Sequence, residues 1–163
     1  VNDRLTDGER RVWITGIGVV TATGIGLAAF RGGLRRATSP IRSIDRFDAS
    51  AFRSQVAAQV DDFDPAAFMD ARAVRGLDRF SQFGVAAGRM AMEDAGLRPG
   101  DSGHPDPEQV GIYLGSALGG VAFAEEQHER YLAKGIKSVS PTLALAVFGG
   151  AAPANLGIDL GVR

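Results

Sequence analysis

The sequence predicts an α/β fold, and two observations carry that reading. Trp13-Ile14-Thr15-Gly16-Ile17-Gly18-Val19-Val20 and Val110-Gly111-Ile112-Tyr113-Leu114-Gly115 are short apolar runs, rich in β-branched side chains and punctuated by glycine. Such runs read as buried strands entering turns. Each is followed by a stretch whose apolar residues recur at helical spacing, so strand and helix alternate along the chain. The composition, 45% hydrophobic and 23% charged over 163 residues, suits a globular chain with a sizeable core.

The elements follow in order. After Thr23-Gly24-Ile25-Gly26, the residues Leu27, Phe30 and Leu34 predict a short helix closed near Arg35-Arg36. From Ser39 to Val60 the text is irregular, with one weak strand on the alternation Val56, Ala58, Val60. Asp64-Pro65 supplies an N-cap and a proline at the first helical position, predicting a short helix from Ala66 to Asp70. Leu77, Phe80, Phe83, Ala87 and Met90 then keep one apolar face over several turns until Gly96, a left-handed C-terminal residue. Gly84, Ala86, Ala87, Gly88 and Ala91 equip that helix for close packing. Arg98 to Glu108, with three prolines and two glycines, reads as a surface loop. Ser116-Ala117-Leu118-Gly119-Gly120 is the turn leaving the second strand, a place where ligands gather in α/β sheets. A helix from about Val121 to Lys134 ends at Gly135, and Ser140-Pro141 opens a small-residue helical stretch to Leu160, interrupted near Gly149-Gly150 and Pro153.

Several function classes are disfavoured. Lys and Arg total 18 against 19 Asp and Glu, giving no general attraction to nucleic acid or an anionic membrane surface. No run approaches the roughly 20 apolar residues of a membrane helix, and residues 1–10, read as a flexible extension, lack the apolar core of a secretion signal. The expected compartment is the cytoplasm. The absence of cysteine excludes a disulfide framework, a thiolate zinc site and a cysteine nucleophile within these residues.

Single motifs also read blandly. Gly16-Ile17-Gly18 follows a strand, yet the third glycine of a dinucleotide fingerprint falls on Thr21. Gly115-Ser116 fails the nucleophile-elbow pattern because positions 114 and 118 are leucine, which leaves Ser116 as a turn residue. His104 and His128 have no second histidine at ligand spacing and read as solvated. Asp61-Asp62-Phe63-Asp64 is explained by capping and solvation. Arg72, Arg75 and Arg79, with Lys137, are a basic grouping suited to an acidic partner; singly, each reads as a solvated face.

Longer words of the sequence go further. Arg11-Val12-Trp13-Ile14-Thr15-Gly16-Ile17-Gly18-Val19-Val20-Thr21, Ile44-Asp45-Arg46-Phe47-Asp48-Ala49-Ser50, Asp61-Asp62-Phe63-Asp64-Pro65, Leu77-Asp78-Arg79-Phe80-Ser81-Gln82, Ala91-Met92-Glu93-Asp94-Ala95-Gly96-Leu97, Gly111 to Gly120 and Val139-Ser140-Pro141 occur in a collinear order. Together they resemble the amino-terminal region of the β-ketoacyl-[acyl-carrier-protein] synthases, closest to the elongating synthase II type. The resemblance implies a thiolase-like fold, layered α/β/α/β/α in the complete protein, of which residues 11–163 supply the amino-terminal half, incomplete at the carboxyl end. It implies an acyltransferase that elongates an acyl chain by decarboxylative Claisen condensation in fatty acid or polyketide biosynthesis, without a cofactor. The nucleophilic cysteine and its histidine partners are then expected beyond Arg163.

Site residues follow from the same resemblance. Leu118 falls at the gate of the acyl tunnel, with Ala117 beside it as a substrate-binding residue, and Leu143, Ala144 and Phe148 line the tunnel's end across the dimer interface. Lys137 falls where a basic residue contacts acyl carrier protein, with Arg72 and Arg75 as further docking candidates. The implied partners are acyl carrier protein bearing acyl and malonyl groups and a second copy of the chain. Gly149-Gly150 departs from the proline-asparagine pair common in elongating enzymes, and Leu143 replaces an aromatic residue. Two other readings stay open: a non-condensing chain-length-factor subunit of a heterodimer, and a non-catalytic α/β interaction domain.

Overall fold

A computed structural model of the chain describes residues 12–162. The expected extension at residues 1–10, and Arg11 of the first motif, lie outside the described residues.

Helix α3, Arg79–Ala95, is the element on which much of the chain packs. Its start is fixed by Asp78, whose carboxylate accepts from the Phe80 amide, and its end by Gly96, which adopts φ 65° and returns its N–H to the carbonyls of Glu93 and Met92. A left-handed C-terminal glycine of this kind satisfies carbonyls the helix leaves open. Helix α6, Ala151–Leu160, lies against α3, with Leu156 in a cluster with Met69, Leu77 and Val85. The small residues of α3 make the approach possible: a side chain at Gly88 would collide with Leu156, and one at Gly84 would meet Leu114 and Ala152. Arg89 adds an ion pair to Asp159 across the same seam.

The other helices are α1 (Leu27–Arg36), α2 (Ala71–Gly76), α4 (Val121–Lys134) and α5 (Leu143–Val147). Helices α1, α3 and α4 match the sequence expectation closely. The Asp64-Pro65 signal produces a 3-10 turn, Pro65–Ala67, with Asp64 capping Ala66. The α-helix starts six residues later, where Asp70 accepts from both Arg72 and Ala73, so the short helix expected over 66–70 is displaced. Those two amides, Ala73 foremost, hold the Asp70 carboxyl below its ordinary range. The predicted interruption near Gly149-Gly150 separates α5 from α6. Pro153 breaks nothing, because it is the third residue of α6, where the N–H it lacks would have no intrahelical acceptor.

The strands depart most from expectation. The paired ones are two short hairpins: β1 (Val20–Thr21) with β2 (Gly24–Ile25), and β3 (Ile41–Ser43) with β4 (Val56–Ala58), which falls within the weak strand foreseen at 56–60 and stops short of Val60. The two runs predicted as buried strands, 13–20 and 110–115, are neither buried nor laddered over most of their length. Val12, Trp13 and Ile14 are exposed, and Tyr113 is 98% exposed. The reason is physical: a strand needs a neighbouring backbone about 4.8 Å away, and among the described residues only Val20, at the end of the first run, finds one; residues 13–18 and 110–115 pair with no strand. They nevertheless keep strand periodicity. Gly16 and Gly18 rest on α3 while Thr15 and Ile17 face outward, and Ile112 and Leu114 point inward on either side of Tyr113. No described helix is long and apolar enough to cross a membrane.

Candidate functional site

Helix α4 and the chain that returns beneath it enclose an open apolar groove of about 540 Å³, lined by Ala124, Val139, Pro141, Leu143, Val147 and Phe148 among others. It adjoins a second groove of about 380 Å³ that shares Ala124, Val139 and Leu143 and continues to Tyr131 and Ile136. The return path is fixed by polar groups set behind the apolar lining. Gly135 ends α4 with φ 76°, and the Ser138 hydroxyl donates to the Gly135 and Arg130 carbonyls. Gln127, 2% exposed, accepts the Ser140 amide at 2.8 Å. A buried amide oxygen without such a donor would carry a desolvation cost, so this bond fixes the spacing between α4 and the segment leading into α5.

The expected tunnel residues divide into two groups. Leu143, Ala144 and Phe148 line the first groove together. Ala117 and Leu118 do not line it; they sit exposed on the turn before α4, Leu118 at 74%. That turn is tied to the far end of α5, because the Gly120 amide donates to the Val147 carbonyl at 2.9 Å. Ser116 uses its hydroxyl to accept the Gly119 amide at 3.0 Å, the behaviour of a turn residue. In the groove, the Ser140 hydroxyl lies 3.0 Å from the Thr142 hydroxyl and accepts the Thr142 amide. The apolar lining is suited to an aliphatic chain.

The basic residues also separate. Arg72 and Arg75 are exposed on α2, and Lys137 is exposed on the 3-10 turn Ile136–Ser138 beside the second groove. Arg79, grouped with them from sequence, is instead folded inward. Its guanidinium lies 4.9 Å from the Phe83 ring centre and 5.7 Å from that of Phe63, and it donates to the Val60 carbonyl. Burial, and then the nearby Arg46 charge, push its pKa down. The acidic run is likewise structural in part, with Phe63 buried against Phe68 and Phe83 and Asp61 paired to Arg42. His128 is exposed beside Tyr131, whereas His104 is half-buried and accepts the Arg98 amide, a departure from the solvated reading. Among the described residues no three potential ligands converge on a metal position.

Two residues of this region escaped the sequence reading. Gln127 carries no periodic signal, because a buried glutamine on a mostly exposed helix looks like a surface residue. Asp78 was legible in principle, since an aspartate before an apolar helix is a capping signal.

Comparison with known proteins gives matches over most of the chain. The family model described as "Beta-ketoacyl synthase, N-terminal domain" matches residues 9–163. The 3-oxoacyl-[acyl-carrier-protein] synthase 2 of Coxiella burnetii is 39% identical over 133 residues, covering 82% of this chain and 31% of that protein. Among solved structures, the ishigamide ketosynthase/chain length factor superposes with a TM-score of 0.77 at 30% identity, over 92% of this chain and 37% of that one. The ketosynthase in the AntDE:AntF complex, a type II PKS acyl-carrier protein with its ketosynthase bound to the hexaketide, gives 0.70 at 29% identity, over 91% and 38%. The chain spans about a third of the length of the curated relatives it matches.

Proposed function

Because this chain belongs to the β-ketoacyl synthase family, and carries the thiolase-like α/β fold of its amino-terminal domain, we propose that the complete protein is a condensing acyltransferase. It elongates an acyl chain by decarboxylative Claisen condensation with malonyl-acyl carrier protein, in fatty acid or polyketide biosynthesis. A cysteine thiolate, which lies outside these 163 residues, takes the acyl group and releases the carrier thiol. Malonyl-carrier loses carbon dioxide, and the resulting enolate carbon attacks the acyl carbonyl. The new carbon–carbon bond forms as the carbon–sulfur bond breaks, returning the thiolate. In this scheme Leu143, Ala144 and Phe148 receive the distal acyl chain, Leu118 gates it with Ala117 beside it against the substrate, and Lys137 with Arg72 and Arg75 meets the acidic carrier.

The observation that carries the reading is the groove itself, an apolar channel on the α4–α5 face containing all three residues assigned to the tunnel end. A chain-length-factor role in a heterodimer is the second reading, favoured by the likeness to the ishigamide ketosynthase/chain length factor. Two copies, or two related chains, would meet across the open groove in either case.

The test is Leu118→Phe in the complete protein, with acylation rate measured against acyl length. Added bulk in a packed channel costs roughly 1–3 kcal/mol, or about a 5- to 150-fold loss of rate. The loss is expected to grow with chain length and to spare short primers and malonyl decarboxylation. A uniform loss at all lengths, accompanied by a lower melting temperature, would make Leu118 a packing residue. A coding sequence carrying a non-nucleophile in place of the cysteine would move the assignment to the chain-length factor.

A further inference from the structure

We propose that Asp78 is a positioning residue that sets the placement of the Ala117–Leu118 turn by capping two helices with one carboxylate. The proposal rests on the gating role given to that turn above. Asp78 is 6% exposed. One of its oxygens, Oδ1, accepts the Phe80 amide at 2.9 Å and caps α3; the other, Oδ2, accepts the Phe123 amide at 2.9 Å in the first turn of α4. The second bond spans 45 residues of sequence.

The first-turn amides of α4 require an acceptor from outside the helix. Such an acceptor usually comes from the N-cap residue, which here is Gly120, without a side chain. Its φ of −89° is open to any residue, so conformation does not explain the glycine. Space does. A Cβ at Gly120 would stand 2.6 Å from the Ala146 carbonyl oxygen, 3.0 Å from Cβ of Asp78 and 3.1 Å from Cα of Val147. The close approach of the turn to α5, which also forms the Gly120–Val147 hydrogen bond, excludes a local capping side chain. Asp78 supplies the acceptor instead. The turn is consequently held against α5 through Val147 and against α3 through Asp78, which leaves Leu118 exposed on a backbone restrained at its carboxyl-terminal side.

Only a carboxylate can hold both amides in this way. Asparagine offers one acceptor oxygen and sets its NH₂ donors against the second amide, and serine reaches only the local one. Asp78→Ser should therefore keep the α3 cap while releasing α4. In the complete protein, hydrogen exchange at Phe123 is expected to accelerate at least about ten-fold relative to Phe80, the lower end of the scale of one lost charge-assisted hydrogen bond. The ratio of long-chain to short-chain acylation rates is expected to change by at least about five-fold in parallel. Arg89→Ala, which breaks the α3–α6 ion pair away from the turn, serves as the stability control and should leave that ratio unchanged.

Equal changes of the ratio in Asp78→Ser and Arg89→Ala would reduce Asp78 to a stabilising residue and overturn the proposal. So would an unchanged ratio in Asp78→Ser while Leu118→Phe alters it. If neither Asp78→Ser nor Leu118→Phe alters the ratio, the gate reading falls and the coupling falls with it. Should Asp78→Ser fail to fold, the same measurements on the nearly isosteric Asp78→Asn decide the matter.

Discussion

Arg79 illustrates how much a single side chain can hide from the sequence. Read as text, Arg72, Arg75 and Arg79 fall at spacings that would place them on one helical face, which joins Arg79 to a basic patch. The chain breaks between α2 and α3 at Leu77-Asp78, so the phase is lost and Arg79 turns inward over Phe63 and Phe83. A guanidinium can do this because it is planar and weakly hydrated, and its stem is apolar. Arg79→Ala should remove the aromatic contacts and the donor to Val60, destabilising the complete protein by about 1–3 kcal/mol. Urea titration of the two proteins measures this. A change below a few tenths would return Arg79 to the solvated surface where the sequence placed it. Arg72 and Arg75 were legible as exposed because α2 keeps them outside the contacts that trap their neighbour.

At the scale of elements, the longer helices were legible and the strands only in part. A helix satisfies its own backbone, so the apolar spacing of α1, α3 and α4 and the glycines that end α3 and α4 carried nearly the whole answer. A strand's identity belongs partly to its neighbour, and residues 13–18 and 110–115 find none among the described residues. What was correctly read is the small-residue surface of α3, which accepts an extended run on one side and α6 on the other. The two contacts should differ in tolerance. A Cβ at Gly18 would lie 1.8 Å from the Ala87 carbonyl oxygen, where backbone must yield, whereas one at Gly88 meets the ends of the Leu156 side chain at 2.4 and 2.7 Å. Gly18→Ala is expected at or beyond the top of the roughly 1–3 kcal/mol range for overpacking, and Gly88→Ala toward its lower end. Thermal denaturation of both variants tests the order, and a reversal would mean that the run from 13 to 18 is only loosely seated on the helix.

For the whole molecule, the family was legible from collinear words, while the site was legible only in part. Periodicity could locate the turn at 116–120 and the helix beyond Pro141, but nothing in it assembles Leu143, Ala144 and Phe148 into one groove. That assembly depends on the reversal at Gly135 and the buried Gln127, which are properties of the folded chain. The hydrogen bond from Phe123 to Asp78 carries the same dependence into time. Residues 45 apart must meet before α4 can complete its first turn, whereas the cap of α3 closes within two residues. Local closures are fast and distant ones carry a larger loop entropy, so α4 should mature later than the helix that caps it. In pulse-labelled refolding of the complete protein, Phe80 is expected to gain protection first and Phe123 only when the two helices dock; protection of Phe123 ahead of Phe80 would reverse that order. The start of α4, and with it the turn that presents Leu118, is thus among the late regions to acquire its shape, so a chain interrupted on the way to the native state would hold its helices before it held its entrance.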